Sequence, residues 1–416
     1  MRTSTLVVAG LVSFLAACTG TLGEGGDDQP PPPPPATDVQ IIVRDGNAPQ
    51  ANVRVIFQNT DDSVLAEAVT GADGIAAAEM PTGGNLTVIR TYPPAVPPAV
   101  SRVPEIYTYV GVKAGDRLQL GRATSETMLP SAINVMVPTG AVGTVKVVTP
   151  CGSGQGTAPL VPITVRGCDA MVDFYVTDQD QSAFTKRAAY GENVDLSLEP
   201  LLGALAATVS ATNVVPDTTV NVELRIVAGT FQLYSSGTKR VDQAPATVNL
   251  PNLMGVDQLV VASISGTAGR QMVGKREPYS ASPAIVDASA GLIPYVKTPD
   301  YAPTGISWTE EGTGTADVVL ATINVTRATV GTEYVRAIIA PHTGLSLRMP
   351  ILAGVDAIYN PTTADQLAGA HGLVKVSGGY DAIRATAFTV SSLLELTPAA
   401  GTATLSYAGN TAPGIE

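Results

Sequence analysis

Residues Asp38 to Arg90 read DVQIIVRDGNAPQANVRVIFQNTDDSVLAEAVTGADGIAAAEMPTGGNLTVIR, and they alternate short apolar runs with clusters of Gly, Pro, Asn and Asp. Within one run, Val53, Val55 and Phe57 fall on the same face of an extended chain, because successive side chains of a strand point to opposite faces. Short runs of this kind, separated by turn-forming residues, are typical of strands. The predicted strands are 39–45, 52–58, 64–70, 75–80 and 86–90.

The composition of the whole chain extends this prediction beyond residue 90. Charged residues make up 14% of the 416 residues, against about 25% in an average soluble chain, so long charge-laced surface helices are excluded. Val, Thr, Ala and Gly are abundant and favour strands and turns, which predicts an all-β protein. The net charge is −12 and the sequence has no Lys/Arg cluster. This excludes nucleic acid as a partner, because neutralising phosphates requires clustered cations.

The order of turns in the first stretch resembles that of the bacterial carboxypeptidase-regulatory-like family, a small transthyretin-type β-sandwich. The family has a D-x-x-G-x-P turn, an A-x-V strand, a T-x-x-D-G turn and a P-x-G turn before a hydrophobic strand. The matching positions are Asp45, Pro49, Ala51, Val53, Thr70, Asp73, Gly74, Pro81, Gly83 and Val88. Ala48 departs from the pattern, because the first turn usually has Gly there.

That resemblance implies a β-sandwich over residues 38–123 that serves as a spacer or a binding module and has no peptidase chemistry of its own. Asp73 and Gly74 are interpreted as turn formers and not as part of a catalytic site.

The remainder of the chain is expected to form further β-domains over 130–200, 201–298 and 299–416. Residues 249–257 (NLPNLMGVD) and 348–356 (RMPILAGVD) share Pro, Leu, Gly, Val and Asp at an offset of 99 residues. That period suits one Ig-like sandwich, so the last domain is interpreted as a repeat of the preceding one. The predicted fold class is therefore all-β, with Ig-like and transthyretin-like β-sandwich domains in tandem.

The N-terminal residues carry an export signal. Arg2 precedes the apolar run 6–17, LVVAGLVSFLAA, which has the length of a secretory signal and is too short to span a bilayer. The stretch Leu15-Ala16-Ala17-Cys18 resembles the lipobox of bacterial lipoproteins, in which small residues precede a Cys that is acylated and becomes the new N-terminus. The resemblance implies a signal peptide over 1–17 and lipid attachment at Cys18. The alternative is an ordinary secretory signal in which Cys18 is incidental.

Residues 18–37 are expected to be a tether between that lipid and the first strand. They are rich in Gly and Asp and then carry six consecutive prolines, Pro30 to Pro35. Polyproline extends about 3.1 Å per residue, so the tether lifts the folded part off the membrane. Thr19 and Gly20 stand where an Asp retains many lipoproteins at the inner membrane. The resemblance therefore implies delivery to the outer membrane, facing the periplasm or the cell surface.

The chain has three cysteines, which become an even pair once Cys18 carries lipid. Cys151 and Cys168 close a loop of 18 residues, for which a disulfide in an oxidising compartment contributes about 3 kcal/mol. The alternative, a metal or redox pair, needs C-x-x-C spacing or a nearby His. His342 and His371 are far along the chain, so a disulfide is the prediction.

Four aromatic residues are candidate ligand contacts. Trp308 lies beside Glu310-Glu311, an arrangement in which the indole stacks on a sugar ring and the carboxylates accept its hydroxyls. Tyr92, Tyr107 and Tyr109 are the candidates for a Tyr/Pro surface that binds polysaccharide or peptide. The alternative for all four is packing in the core or against the sheet.

No catalytic residue, metal site or cofactor is predicted. His342 and His371 lie in turn-like contexts, and no G-x-S-x-G elbow accompanies them. Asp178 and Asp180 lack the Gly and the distant Glu of an EF-hand. Residues 269–276 have the glycine spacing of a phosphate-binding loop, but an Arg stands where Ser or Thr must ligate Mg²⁺.

The sequence therefore indicates a lipid-anchored, extracytoplasmic β-sandwich protein with a structural, adhesive or ligand-binding role and no catalysis. Its expected partners are the membrane, through the N-terminal lipid, and a polysaccharide or an envelope protein. Two alternatives stay open. One is a carbohydrate-binding surface lipoprotein, and the other is an envelope hydrolase with two carboxylates in one cleft.

Overall fold

The computed structural model describes residues 37–45, 48–92, 102–121, 131–165, 170–228, 231–267, 269–279, 284–289, 293–327, 333–384 and 402–407. Across these ranges the chain forms strands, one 3-10 helix and one short α-helix, which confirms the all-β prediction. Within the same ranges, no helix has the length and apolar character needed to cross a membrane.

The first eight strands form a sandwich around one core. Strands β1 to β8 are Asp38–Asp45, Ala48–Pro49, Arg54–Gln58, Val64–Val69, Ile75–Glu79, Gly84–Arg90, Glu105–Val112 and Arg117–Leu120. β1 pairs antiparallel with β5 and parallel with β8, whereas β4, β3, β6 and β7 belong to a larger sheet. Val39, Ile41 and Val43 alternate along β1 and pack in one core with Val55 and Phe57 of β3.

The turn between β4 and β5 shows how the sequence sets this local structure. Gly74 has a φ of +75°, a region that side chains rarely adopt. A Cβ there would lie 2.5 Å from the carbonyl oxygen of Val43. The Asp73 carboxylate accepts a hydrogen bond from the Ile75 N–H at 3.0 Å. Both residues therefore act in the turn.

The next seven strands form a sheet of their own. Strands β9 to β15 are Ser131–Met136, Thr144–Thr149, Gly152–Thr157, Leu160–Val165, Met171–Thr177, Ala183–Ala189 and Asn193–Asp195. Their order in the sheet is β14-β13-β10-β11-β12-β9-β15. Val161, Ile163 and Val165 alternate along β12 into a core that also holds Phe174 of β13. This alternation is the period-2 pattern of a strand with one buried face.

The third group of strands divides between two sheets. Strands β16 to β23 are Leu205–Thr212, Thr219–Ala228, Phe231–Ser235, Lys239–Arg240, Ala246–Leu250, Asp257–Gly266, Gly269–Pro278 and Ala284–Asp287. β20, β16 and β23 form a three-stranded sheet, and β18, β17, β21 and β22 belong to the largest sheet. Val220, Val222, Leu224 and Ile226 point from β17 into the core between them.

The last group contains the remaining strands and both helices. Strands β24 to β30 are Tyr295–Ala302, Gly305–Glu311, Val318–Arg327, Glu333–Pro341, Ser346–Arg348, Asp365–Val376 and Thr402–Tyr407. The 3-10 helix is Gly354–Tyr359 and the α-helix, α1, is Gly379–Arg384. β24, β25 and β28 form a three-stranded sheet, whose Ile306 and Trp308 share a core with Val319, Ala321 and Ile323 of β26.

One 13-stranded sheet joins three of the segments that the sequence analysis separates. Its order is β18-β17-β21-β22-β30-β29-β26-β27-β7-β6-β3-β4, with β19 beside β17. β27 pairs in parallel with β7, from Val335 opposite Glu105 to Ile339 opposite Tyr109. β30 pairs antiparallel with both β22 and β29. Strands from 38–123, 201–298 and 299–416 therefore share one hydrogen-bonded sheet.

The two similar stretches, 249–257 and 348–356, occupy corresponding places. Each follows or overlaps a short strand, β20 in the first case and β28 in the second. In both cases the strand that follows the stretch pairs antiparallel with an earlier strand, β21 with β17 and β29 with β26. This arrangement fits a duplication, which stays a prediction.

Candidate functional site

Both histidines of the chain lie next to its single tryptophan, Trp308, and one of them shares a carboxylate oxygen of Glu310 with it. The Trp308 indole N–H donates to Glu310 Oε1 at 2.8 Å, and His342 Nε2 lies 2.8 Å from the same oxygen. The rings of Trp308 and His371 are 4.3 Å apart between centroids and tilted by 41°. We call Trp308, Glu310, His342 and His371 the Trp308 cluster.

Three chain segments bring this cluster together. Trp308 and Glu310 are two residues apart on β25 and His342 follows the end of β27. His371 lies within β29, where it pairs with Ala321 of β26. The prediction that His371 lies in a turn is wrong. The glycines beside it belong to the strand: a Cβ at Gly369 would lie 2.1 Å from the Thr322 carbonyl oxygen, and glycine in a strand marks a close backbone approach.

His371 is fully buried, and among the described residues neither of its ring nitrogens has a hydrogen-bond partner. Burial, and to a smaller extent the nearby His342, lower the pKa of His371 from 6.5 to about 4. The ring is therefore neutral at pH 7. A neutral, buried imidazole packed on an indole behaves as a core side chain. It does not exchange protons with solvent at this pH.

Trp308 is 4% exposed, and one of its ring contacts is His371. Stacking on a sugar requires an open ring face, and this buried indole does not present one. Glu310 and His342 are partly exposed at the edge of the cluster. Within the described ranges, no group of three or more His, Cys, Asp or Glu side chains is arranged to hold a metal ion.

Two of the three candidate tyrosines meet at one carboxylate. The hydroxyls of Tyr92 and Tyr107 donate to Glu105 Oε2 at 2.7 and 2.9 Å. Arg102 lies over the Tyr92 ring, with its guanidinium carbon 3.9 Å from the centroid. Burial and the neighbouring Glu105 raise the pKa of both tyrosines. Tyr107 is buried and Tyr92 is half-buried, so Tyr92 is the ring nearer to solvent.

Tyr109 lies apart from that pair. Its hydroxyl donates to the carbonyl oxygen of Gln119 at 2.8 Å, and its ring packs in the core of the first sandwich with Leu86 and Leu118. Burial raises the pKa of Tyr109. The structure therefore brings Tyr92 and Tyr107 together but gives Tyr109 a place in the core.

A cavity of about 320 Å³ lies along β24, β25 and β28. Its polar lining includes Asp300, Thr304, Ser307, Ser346 and Arg348. The Arg348 guanidinium also binds Asp62, in the turn between β3 and β4. The sequence did not predict this cavity, because its lining depends on the pairing of β25 with the distant strand β28, which no local motif indicates.

The predicted lipid and disulfide sites fall partly or wholly outside the described residues. Cys18 and Cys168 both lie outside them. Cys151 immediately precedes β11, whose Gly152 pairs with Val165 at the end of β12. Cys151 therefore lies at the end of the hairpin formed by β11 and β12, and its pairing with Cys168 stays a prediction.

The rejected calcium and nucleotide motifs have structural roles. Asp178 Oδ1 accepts hydrogen bonds from the backbone N–H groups of Asp180 and Ser182, at 3.0 and 2.8 Å. Asp178 Oδ2 accepts another from Val142 at 3.1 Å. These bonds make Asp178 the centre of a turn. Residues Gly269–Pro278 form β22.

Comparisons with known proteins leave the family open. No family model matches the chain, and no curated protein sequence matches it. Among solved structures it is similar to "The Bacillus anthracis TIE protein" at 12% identity, over 61% of this chain and 51% of that one, with a TM-score of 0.16. The match thus spans about half the length of that protein, and a similarity this low carries no argument about fold or function.

Proposed function

We propose that the chain is a lipid-anchored protein of the cell envelope, held by Cys18 and acting as a non-catalytic scaffold or adhesive spacer. The observation that carries this proposal is the lipobox-like stretch Leu15-Ala16-Ala17-Cys18, followed by the Gly- and Pro-rich tether. Two or more acyl chains are needed for stable anchoring, and lipoprotein processing supplies them. The outer membrane is the proposed location, with the protein facing the periplasm or the cell surface.

The β architecture supports a scaffold role. β1, the first strand after the tether, is paired on both sides, with β5 and with β8. The neighbouring strands β6 and β7 continue through β27 into the C-terminal part of the chain. β1 lies in a different sheet from β6 and β7 but shares one hydrophobic core with them, so core packing and strand pairing together link the part near the anchor to distant parts of the chain. Such a link suits a protein that holds a binding surface away from the membrane.

The carbohydrate-binding alternative receives less support from the candidate aromatics. Trp308, Tyr107 and Tyr109 are buried. Tyr92 is half-buried, and Arg102 covers part of its ring. Sugar stacking needs an exposed aromatic face, so a glycan site at these residues would require them to rearrange.

Replacing the lipidated cysteine tests the proposal. In cells, the Cys18→Ser variant is expected to move from the membrane fraction to the soluble fraction, because the serine hydroxyl does not accept the lipid. Thr19→Ala, one residue away, is the matched control and should stay with the membrane. Fractionation followed by protease treatment of intact cells measures both the attachment and the side of the membrane. Equal membrane association of wild type and Cys18→Ser would contradict the proposal.

A further inference from the structure

β4 is the last strand of the 13-stranded sheet and, within the described part of the chain, pairs with β3 alone. Its sequence, VLAEAV, contains no proline and a single charged residue, Glu67. Natural sheets usually protect such edges with Lys, Pro or a covering segment, because an open edge is a template for another strand. β4 has neither Lys nor Pro, and its register with β3 shifts only at its start, between Phe57 and Gln58, so Ala66 to Val69 form a regular edge.

The backbone of β4 offers hydrogen-bonding groups on its open side. The Thr70 N–H donates to the Val53 carbonyl oxygen at 2.9 Å, which places Thr70 in a hydrogen-bonded pair with β3. Pairs along an antiparallel ladder alternate, so Ala68 also faces β3 while Glu67 and Val69 direct their N–H and C=O groups away from it. A further strand would find its partners there.

The side chains beside this edge form an apolar surface with an acidic centre. Val69 of β4 is 58% exposed and Leu65 is 41% exposed. Glu67 lies between them and binds Arg54 Nη2 at 2.7 Å. Arg54 Nε also lies 2.8 Å from the Asp356 carboxylate of the 3-10 helix, so this helix sits next to the edge.

The 3-10 helix adds two exposed apolar side chains. Val355 is 70% exposed and Ile358 is 59% exposed, and residues three apart share one face of a 3-10 helix. We call Leu65, Glu67, Val69, Val355 and Ile358 the β4 edge surface. It combines open backbone groups with a shelf of apolar side chains, which are the two requirements for binding an extended peptide by strand addition.

The negative charge of this surface indicates which kind of strand can bind beside β4. Two carboxylates, Glu67 and Asp356, share a single guanidinium, Arg54, and Asp61 is exposed in the turn before β4. Antiparallel pairing of two copies centred on Glu67 would place this acid opposite itself, and like charges directly opposite are destabilising. A segment with basic side chains would instead meet complementary charge.

We propose that the β4 edge surface docks an extended segment of a partner protein in which every second residue, the set on one face of the strand, is apolar, basic and apolar in turn. The segment adds a strand beside β4, and on the face shared with Leu65, Glu67 and Val69 its basic residue lies beside Glu67 while the apolar residues on either side pack on the apolar side chains. This inference stands independently of the anchor at Cys18, because it concerns a different part of the chain and a different partner.

Binding of two labelled seven-residue peptides to the purified full-length protein tests it. The Val/Lys peptide is Thr-Val-Thr-Lys-Thr-Val-Thr, which presents Val, Lys and Val on one face of a strand, and the Val/Glu peptide has Glu in place of the Lys. Fluorescence anisotropy should show that the Val/Lys peptide binds about fivefold more tightly or better, since an opposite charge across the strands from Glu67 is stabilising and a like charge is destabilising. Glu67→Gln should reduce this preference and Glu67→Lys should reverse it. Glu192→Lys, an exposed change in another sheet's connecting turn, is the matched control and should leave the preference unchanged.

Hydrogen exchange locates the bound peptide. Protection of the Glu67 and Val69 amides on adding the Val/Lys peptide is the expected result. Equal affinity for both peptides, no binding of either, or protection elsewhere would overturn the proposal. Concentration-dependent dimerisation that protects the same amides without peptide would also overturn it, since it would identify a second copy as the occupant.

Discussion

Trp308→Ala is expected to lower the free energy of unfolding by about 3–5 kcal/mol, the usual cost of truncating a buried aromatic side chain. The indole is 4% exposed and packs between the sheet of β24, β25 and β28 and the large sheet. Its removal leaves a cavity beside His371 and deprives Glu310 of the indole N–H bond. The variant therefore loses both core packing and a hydrogen bond at one site.

Urea unfolding followed by far-UV circular dichroism measures this change. Fluorescence does not serve, because Trp308 is the only tryptophan of the chain. Val355→Ala is the control, since an exposed truncation usually changes stability by less than about 0.5 kcal/mol. A loss below about 1 kcal/mol for Trp308→Ala would show that the ring is not part of the core.

Acid is expected to destabilise the fold through His371. Burial lowers the pKa of this side chain from 6.5 to about 4, so the unfolded chain binds the proton more readily than the folded one. The stability contributed by the neutral ring is complete above pH 6.5 and is lost as the pH falls towards 4. The full difference is about 3 kcal/mol, at 1.36 kcal/mol per pKa unit.

Comparison with His371→Leu isolates this effect. Among the described residues the ring nitrogens have no hydrogen-bond partner, so an apolar residue of similar size removes the titration and sacrifices no described hydrogen bond. Unfolding free energies measured between pH 7.5 and 4 should fall more steeply for wild type than for the variant. Parallel pH profiles would contradict the burial of His371.

The strands of the first sandwich were accessible from sequence because their signals are local. The predicted strand 64–70 corresponds to β4, Val64–Val69, and the predicted strand 39–45 corresponds to β1, Asp38–Asp45. Period-2 alternation fixes which side chains are buried, and turn residues such as Gly74 fix where each strand ends. Neither signal depends on distant parts of the chain.

The long-range pairings could not be derived in this way. β7 pairs with β27, but the sequence of neither strand predicts this pairing. Many buried strands have similar apolar patterns, so the pattern alone does not specify which strand pairs with which. The Trp308 cluster could not be predicted either, because it also depends on long-range packing. His342 and His371 lie beside Trp308 only because the fold brings β25, β27 and β29 together. The residues next to each histidine in the sequence do not predict these contacts.

The state of the N-terminus tests the central claim most directly. Mass spectrometry of protein extracted from bacterial membranes should find a mature chain that begins at Cys18, with a diacylglyceryl group on the sulfur and an acyl chain on the new amino group. A mature chain that begins at another residue, or at Cys18 with an unmodified thiol, would contradict the lipid anchor and the envelope role built on it.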